Sequence, residues 1–440
     1  MNATQPPAHP ALARHGAGVA ADGEFRMPTH VFFGRGVASQ AGRRAAGFGA
    51  DVVMLVSDPG VVAAGLAGPV RDSLAAAGLD PLVFTSVEPN PRDTDCLAGA
   101  ERAREAGVGA LVAVGGGSSI DTAKCIALLV TNGGHPRDWE DFGALGSPPL
   151  PVLAIPTTAG TGSEATKNAV ISERAPSGVG VASGVAAESS VGAASSGGFK
   201  KSFRDESLVA RVAIVDPDLL ATCPPELIAA DGLDALTQLL ESYLSMRANP
   251  FTDALALSGL ACVREGLAAW FDEAVAGRGA AGPRSVAAIA RERMAYAALC
   301  SGICLAQAGL GAVHGLASPL GAQYPIPHGV ACGATLAAAT RVNIAALESR
   351  DPHSVALARY AAAGWILTGR PGTDDREARS FLVPALERLV AHLGVPRLSS
   401  YGITEASIAA LVTDSRGSSM KTNPIVLTDD EIAAILRTSL

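Results

Sequence analysis

Aromatic and charged residues are both scarce in this chain, at 4% and 17% of 440 positions, while 48% are hydrophobic. That balance excludes disorder over most of the length. Basic residues are not in excess. The formal charge of −8 excludes the broad basic face of a general nucleic-acid binder, although backbone N–H groups at a helix start can still hold an anionic cofactor. No CxxC pair occurs among Cys96, Cys125, Cys223, Cys262, Cys300, Cys304 and Cys332. An odd, scattered set points to a reducing cytoplasm and to thiols acting as small buried hydrophobes. Cys300 and Cys304 share a helix face and read as core. There is no unbroken run of 18 apolar residues, so no membrane span is expected. No basic segment followed by an apolar one opens the chain, so no signal peptide is expected.

What is present is an alternation of strands and helices followed by helices alone. The length suits two or three domains. Residues 1–25 are small, polar and proline-containing, and read as a mobile tail. Apolar runs of strand length lie at 30–33, 52–57, 82–87, 110–114 and 151–155. Between them, helical stretches cover 37–48, 67–77, 93–106 and 118–130. Continuous apolar strands alternating with helices imply a parallel sheet covered on both faces. Residues 173–199, rich in Gly, Ser, Ala and Val, break the pattern and read as a flexible surface insertion. Regular structure is expected to resume at 203–215, where ARVAIVD reads as a strand ending at Asp216-Pro217. Beyond it the segments 225–247, 251–270, 284–308, 330–347, 352–368, 375–393, 404–413 and 428–438 all read as helices. The expected organisation is therefore an α/β N-terminal dinucleotide-binding domain at 26–216, with a Rossmann-like parallel sheet, and an all-helical domain at 217–440. The cleft between them is the expected ligand site.

Three stretches suggest a nucleotide. LVAVGGGSSIDTAK at 111–124 runs a buried strand into three glycines and a new helix. Glycines allow close approach to backbone N–H groups, and the helix start adds positive potential, which suits a pyrophosphate. The same pattern also serves as an ordinary tight strand-to-helix turn. LAIPTTAGTGSE at 153–164 offers Thr157, Thr158, Thr161 and Ser163 on a glycine-rich loop, either to phosphate, ribose and nicotinamide or simply to cap a helix. Asp58, just past the strand 52–57, either takes the adenosine ribose hydroxyls and repels a 2′-phosphate, favouring NAD over NADP, or caps the next turn.

A metal site is the other candidate. In DGLDALTQLLE at 231–241, Asp234 and Gln238 lie four apart on one helix face. GLGAVHGLASPLGAQYPIPHG at 309–329 carries His314 and His328. Imidazole with carboxylate oxygen suits Fe²⁺ or Zn²⁺ better than Ca²⁺ or Mg²⁺. The spacing equally allows two packed histidines.

Taken in order, GGGSSIDTAK, PTTAGTGSE, DALTQ, GAVHGLASPLG and PHGV, with EPNPRDTD upstream, resemble the iron-dependent (group III) alcohol dehydrogenase family. The resemblance covers roughly residues 27–440. It implies a dinucleotide domain and a helical domain, with metal and nicotinamide meeting in the cleft. It implies NAD (or NADP) as cofactor and Fe²⁺ or Zn²⁺ as metal. On the cofactor side it points to Asp58, Gly116, Gly117, Ser118, Asp121, Thr157, Thr158, Thr161, Ser163 and Lys200, with Lys201 as a second candidate for the last. On the metal side it points to Asp234, His314 and His328. Gln238 stands where the commoner motif has a third histidine, and would be either a fourth ligand or a donor from outside the ligand set. Ser318 stands where many members have a further histidine near the nicotinamide, so a relay through that histidine is not available. The expected activity is NAD-dependent, metal-assisted hydride transfer between an alcohol and its aldehyde, by a cytoplasmic homodimer or larger homo-oligomer with a small-molecule substrate. Two other readings are a metal-independent reductase of the maleylacetate reductase type and an inactive NAD-binding relative.

Overall fold

The computed structural model describes residues 24–88, 91–139, 145–172, 200–277, 282, 284–370 and 374–440. The expected tail (apart from residues 24 and 25) and the expected insertion at 173–199 lie outside them. Among the described residues, β1 (His30–Phe33), β2 (Val52–Ser57), β3 (Asp80–Phe84), β4 (Ala110–Gly115), β5 (Val152–Pro156) and β8 (Val212–Val215) form one parallel sheet, in the order β1-β8-β5-β4-β2-β3. β6 (Asn168–Ser172) and β7 (Lys200–Arg204) form a separate antiparallel pair.

The apolar runs explain the layers. Met54 and Val56 pack in one core while Val53 and Leu55 pack in another, so β2 is buried on both faces. The helices α1 (Ala41–Ala46), α2 (Pro59–Ala63), α3 (Ala67–Ala76), α4 (Asp93–Glu105) and α5 (Gly117–Asn132) connect these strands. The strand order reverses between β2 and β4, since β3 lies outside β2 and β5 lies beyond β4. In open α/β sheets such a reversal opens a crevice at the carboxyl ends of the strands. Here those ends carry Asp58 and the glycines 115–117.

After β8 the chain is helical: α6 (Pro225–Leu244), α7 (Pro250–Val275), α8 (Val286–Ala308), α9 (Ala312–Gln323), α10 (His328–Arg350), α11 (Val355–Thr368), α12 (Asp375–His392), α13 (Ile408–Asp414) and α14 (Asp429–Ser439). α6 lies inside this part and is buried almost throughout, with Leu233, Leu236, Leu239 and Leu240 in the helical core. Its polar residues must therefore find partners.

Several sequence expectations change. The strand expected at ARVAIVD forms as Val212–Val215, and a 3₁₀ turn at Glu206–Leu208 separates it from Lys200–Arg204. The β6–β7 hairpin was not anticipated, and neither was α9, whose Gly315 and Pro319 hide its helical period. α7 and α10 have the length and apolar composition of membrane spans, although polar residues interrupt the apolar run in each. Their apolar side chains, among them Leu260, Trp270, Leu336 and Leu347, pack into the helical core.

Candidate active site

Two loops meet at the crevice. β4 runs into Gly115–Gly117, and Gly116 stands at the N-cap of α5 without a capping side chain. The loop after β5 lies across it: a Cβ on Gly116 would fall 3.2 Å from Thr158 Cγ2, and one on Gly117 would fall 3.2 Å from Ser163 Oγ. The glycines thus leave room where the loops face each other, with the first N–H groups of α5 exposed to that space. Asp58 caps α2 by accepting the Val61 N–H at 3.0 Å through Oδ1, and its Oδ2 accepts the Ser119 hydroxyl at 3.1 Å. Both sequence alternatives for Asp58 are thus compatible: it is a cap and it borders the crevice. Thr157 is buried, and its N–H donates to the Gly115 carbonyl at 3.0 Å.

Other residues expected on the cofactor side are tied to the β6–β7 pair. Asp121 is buried, and its Oδ2 accepts the Val170 N–H at 2.9 Å, so this carboxylate secures β6 to α5. Lys200 opens β7 and pairs with Ser172. Lys124, unassigned from sequence, is fully buried. Its ammonium donates to the carbonyls of Ser163 at 2.7 Å, Thr166 at 2.7 Å and Asn168 at 2.9 Å. It fixes the end of the second loop. Burial lowers it to about 8, against the pull of Asp121 and Glu164.

The second loop also reaches the helical part. Gly162 has φ +68°, and a Cβ there would lie 2.3 Å from the Ala298 carbonyl oxygen of α8. The Ser301 hydroxyl of α8 donates to the Gly160 carbonyl at 3.1 Å. Thr161 then donates to Asp234 Oδ2 at 2.7 Å. A residue expected on the cofactor side thus holds the carboxylate expected on the metal side.

Asp234, Gln238 and Glu241 project from one face of α6 at spacings of four and seven positions. His314 lies in the first turn of α9. That turn begins at Gly311, which has no side chain to cap it, so Glu241 and Asn423 cap it from outside. Glu241 Oε1 accepts the Val313 N–H at 2.6 Å, and Asn423 Oδ1 accepts the Ala312 N–H at 3.1 Å. Glu241 Oε2 is 2.7 Å from His314 Nδ1. On the other side of the ring, His314 Nε2 is 3.1 Å from Asp234 Oδ1, and His328 Nε2 is 3.6 Å from the same oxygen. His328 opens α10, and Cys332 follows one turn later on the same face. Cys332 Sγ lies 3.7 Å from His314 Nε2 and 3.8 Å from His328 Nε2. One donor atom from each of Asp234, His314, His328 and Cys332 lies within 4.8 Å of all the others.

Gln238 is buried beside this cluster. Its Nε2 donates to Asp234 Oδ2 at 3.2 Å, while its Oε1 has no hydrogen-bond partner. Ser318 is exposed on α9.

Charge is concentrated here. Burial opposes the ionised form of Asp234, but His328 and the hydrogen bonds from His314 and Thr161 outweigh it and hold the carboxyl well below the usual carboxylate range. Burial likewise opposes a charged His314. Cys332, Asp234 and Glu241 prevail, so its pKa lies well above that of a free imidazole. Burial pushes the Cys332 thiol up to about 11, with His314 pulling the other way. Asp231, one turn before Asp234, is raised to about 7 by burial and by Asp234. Together with Thr158, Gly160 and Thr161 it lines a small cavity of about 40 Å³ between the second loop and α6.

These donors fit a divalent ion. In a tetrahedral site with ligands about 2.0–2.3 Å from the ion, neighbouring donors stand roughly 3.3–3.7 Å apart, and the spacings above straddle that range. The Gln238 oxygen beside the cluster is a further buried acceptor without a partner.

Glu241 and Cys332 are the two site residues that sequence reading missed. Each had a signal: Glu241 lies seven after Asp234, and Cys332 four after His328, both same-face spacings on a helix.

The chain is similar to known proteins over most of its length. Residues 28–185 match the iron-containing alcohol dehydrogenase family, and residues 228–440 match the C-terminal part of the Fe-containing alcohol dehydrogenase family. The chain is 31% identical over 422 residues to the NAD-dependent methanol dehydrogenase of Bacillus methanolicus, covering 94% of this chain and 99% of that protein. It is 32% identical over 418 residues to alcohol dehydrogenase 4 of Schizosaccharomyces pombe, covering 94% and 89%. The crystal structure of a 1,3-propanediol oxidoreductase superposes with a TM-score of 0.82 at 29% identity, covering 95% of this chain and all of that one. With both parts of the sequence and the whole fold matched, the chain belongs to the iron-containing alcohol dehydrogenase family.

Proposed function

We propose that this protein is an NAD-dependent alcohol dehydrogenase, running also as an aldehyde reductase, with a divalent metal beside the nicotinamide. The observation that carries this reading is the 2.7 Å hydrogen bond from Thr161 to Asp234. One loop borders the strand-order reversal and grips the carboxylate at the centre of the donor cluster, so a cofactor and an ion bound at these places would be neighbours. The NAD-dependent methanol dehydrogenase relative supports the choice of cofactor. So does Asp58, whose negative charge at the end of β2 would repel a 2′-phosphate.

In this reading residues 26–216 bind the dinucleotide and 217–440 bind metal and substrate. The N–H groups at the start of α5, with Gly116, Gly117 and Ser118, take the pyrophosphate. Thr157, Thr158 and Ser163 frame the nicotinamide side of the cleft. Asp234, His314 and His328 hold the ion, Fe²⁺ or Zn²⁺. A bound ion supplies Lewis acidity toward the substrate oxygen, and the nicotinamide supplies the hydride acceptor. The chain's own contribution is position. Glu241 accepts the Nδ1 proton of His314 and so turns Nε2 toward the cluster. Thr161 and Gln238 grip Asp234 Oδ2 and leave Oδ1 facing the imidazoles. Ser318 supplies no imidazole, so a proton relay through a histidine at that place is not available. Free thiols at all seven cysteines support a cytoplasmic setting, and the edge position of β1 supports assembly into a homodimer or larger homo-oligomer.

The test is NAD reduction with a panel of short primary alcohols and diols, on protein loaded separately with Fe²⁺ and Zn²⁺, beside His314→Ala. Metal-dependent turnover that is lost in the variant is the expected result. Equal turnover after exhaustive chelation would overturn the metal's part, and absence of turnover with every alcohol and aldehyde tried would overturn the activity.

A further inference from the structure

We infer that Cys332 is the fourth protein donor to the metal, taking the place that Gln238 leaves, and that it turns the site toward Zn²⁺ over Fe²⁺. This rests on the reading that the cluster holds a divalent ion.

Geometry argues first. Cys332 Sγ is nearly equidistant from His314 Nε2 at 3.7 Å and His328 Nε2 at 3.8 Å, and both nitrogens flank Asp234 Oδ1 at 3.1 and 3.6 Å. These distances straddle the edge lengths of a tetrahedron around one ion with nitrogen, oxygen and sulfur ligands, roughly 3.3–3.7 Å. Cys332 is wholly buried, and its helix brings it to the cluster together with His328, one turn before it. A thiol serving only as a small apolar filler would not need to converge with three other donors.

Gln238 argues second. The amide nitrogen donates to Asp234 Oδ2, which already accepts the Thr161 hydroxyl. Turning the amide over would set its oxygen against a carboxylate oxygen, so the observed orientation is the one that hydrogen bonding allows. A protonated amide nitrogen does not ligate a metal. Gln238 therefore holds the outer oxygen of a ligand from behind. Its Oε1, buried without a partner next to the cluster, is an acceptor awaiting a further polar occupant such as a water or the substrate hydroxyl.

Softness argues third. Asp234 and the Glu241 carboxylate behind His314 already bring two negative charges to a divalent ion, so the case for the thiolate is the chemistry of its sulfur and not charge balance. Among first-row divalent ions a thiolate with imidazoles suits Zn²⁺, while harder oxygen donors do not discriminate against Fe²⁺. Binding exchanges the thiol proton for the ion, so one proton is released from Cys332 for each ion bound.

Co²⁺ titration of the metal-free full chain tests this, because a cobalt–thiolate bond has its own near-ultraviolet charge-transfer absorption. In the wild type that band is expected to rise to one equivalent. In Cys332→Ser it is expected to vanish while the weaker visible cobalt absorption remains, and Zn²⁺ affinity, read by chelator competition, is expected to fall about tenfold or more while Fe²⁺ affinity changes less. Cys332→Ala should lose the band in the same way, and Gln238→Ala should keep it. Thermal unfolding of the metal-free variants checks that each is folded. Cobalt bound without a thiolate band, or a band that survives Cys332→Ser, would overturn the role of Cys332 and leave the metal-dependent dehydrogenase standing. If the wild type takes up no cobalt, zinc or iron at all, the metal reading falls with it.

Discussion

Glu241 and His314 are joined at 2.7 Å between Oε2 and Nδ1, and the same carboxylate caps the helix that carries the imidazole. One residue on α6 therefore sets both the ring's orientation and the start of α9. Orienting carboxylates of this kind typically affect metal affinity by about 10–100-fold. Glu241→Gln preserves an acceptor for the Val313 N–H but replaces the carboxylate facing Nδ1. We expect Zn²⁺ affinity to fall by about tenfold or more, with far-UV circular dichroism unchanged. An unaltered binding constant would reduce Glu241 to a helix cap.

Thr161 offers a cleaner separation of the two halves of the site. Thr161→Val keeps the β-branched shape and removes the hydroxyl that donates to Asp234 Oδ2. Hydrogen bonds to charged groups contribute about 1.5–3 kcal/mol. The expected loss is therefore about tenfold to a hundredfold in metal affinity, with NAD affinity of the metal-free protein changed much less. Calorimetric titration of each ligand alone measures both. A loss confined to NAD would place Thr161 on the cofactor rather than on the carboxylate.

Much of this arrangement could be read from the sequence, and the gaps have physical causes. β2, β4 and β5 are buried on both faces, so their apolar runs are unbroken, and the glycines after β4 stand where backbone must approach backbone. Asp234, His314 and His328 come together as the motifs imply. Asp121 has a duty in the fold that its place beside a glycine-rich turn did not reveal, since its carboxylate accepts a strand N–H. α9 was illegible because its first turn is capped from two distant segments, by Glu241 and Asn423. Cys332 looked like core because burial and ligation favour the same residue type, and only the tertiary approach of α9 to α10 separates the two.

Asp58 carries both a structural and a recognition duty, so a useful substitution must separate them. Serine is as good an N-cap as aspartate, so Asp58→Ser keeps an acceptor for the Val61 N–H while removing the charge. We expect kcat/KM with NAD to fall and with NADP to rise, moving their ratio by about a hundredfold toward NADP, equivalent to about 2.7 kcal/mol. Steady-state kinetics with the two cofactors decides it. An unmoved ratio with unchanged thermal stability would mean that Asp58 faces neither ribose nor 2′-phosphate.

Glu164 gives a prediction about stability rather than turnover. It is almost wholly buried in the second loop, and burial raises its carboxyl to about 7, against the pull of Lys124 and a backbone hydrogen bond. Its unfolded value lies near the ordinary 4.5. A folded pKa above the unfolded one means the native state holds the proton longer. The associated stability is fully present below about pH 4.5 and is lost as pH rises through about 7. Glu164→Gln removes the titration while keeping the shape. The difference in unfolding free energy between variant and wild type should therefore shift in favour of the variant by about 2–3 kcal/mol between pH 4.5 and pH 8, with most of the change above pH 5. Urea unfolding of the metal-free proteins across that range measures it directly. A difference that stays constant with pH would mean that Glu164 is already ionised in the folded state and paired more strongly with Lys124 than its burial opposes.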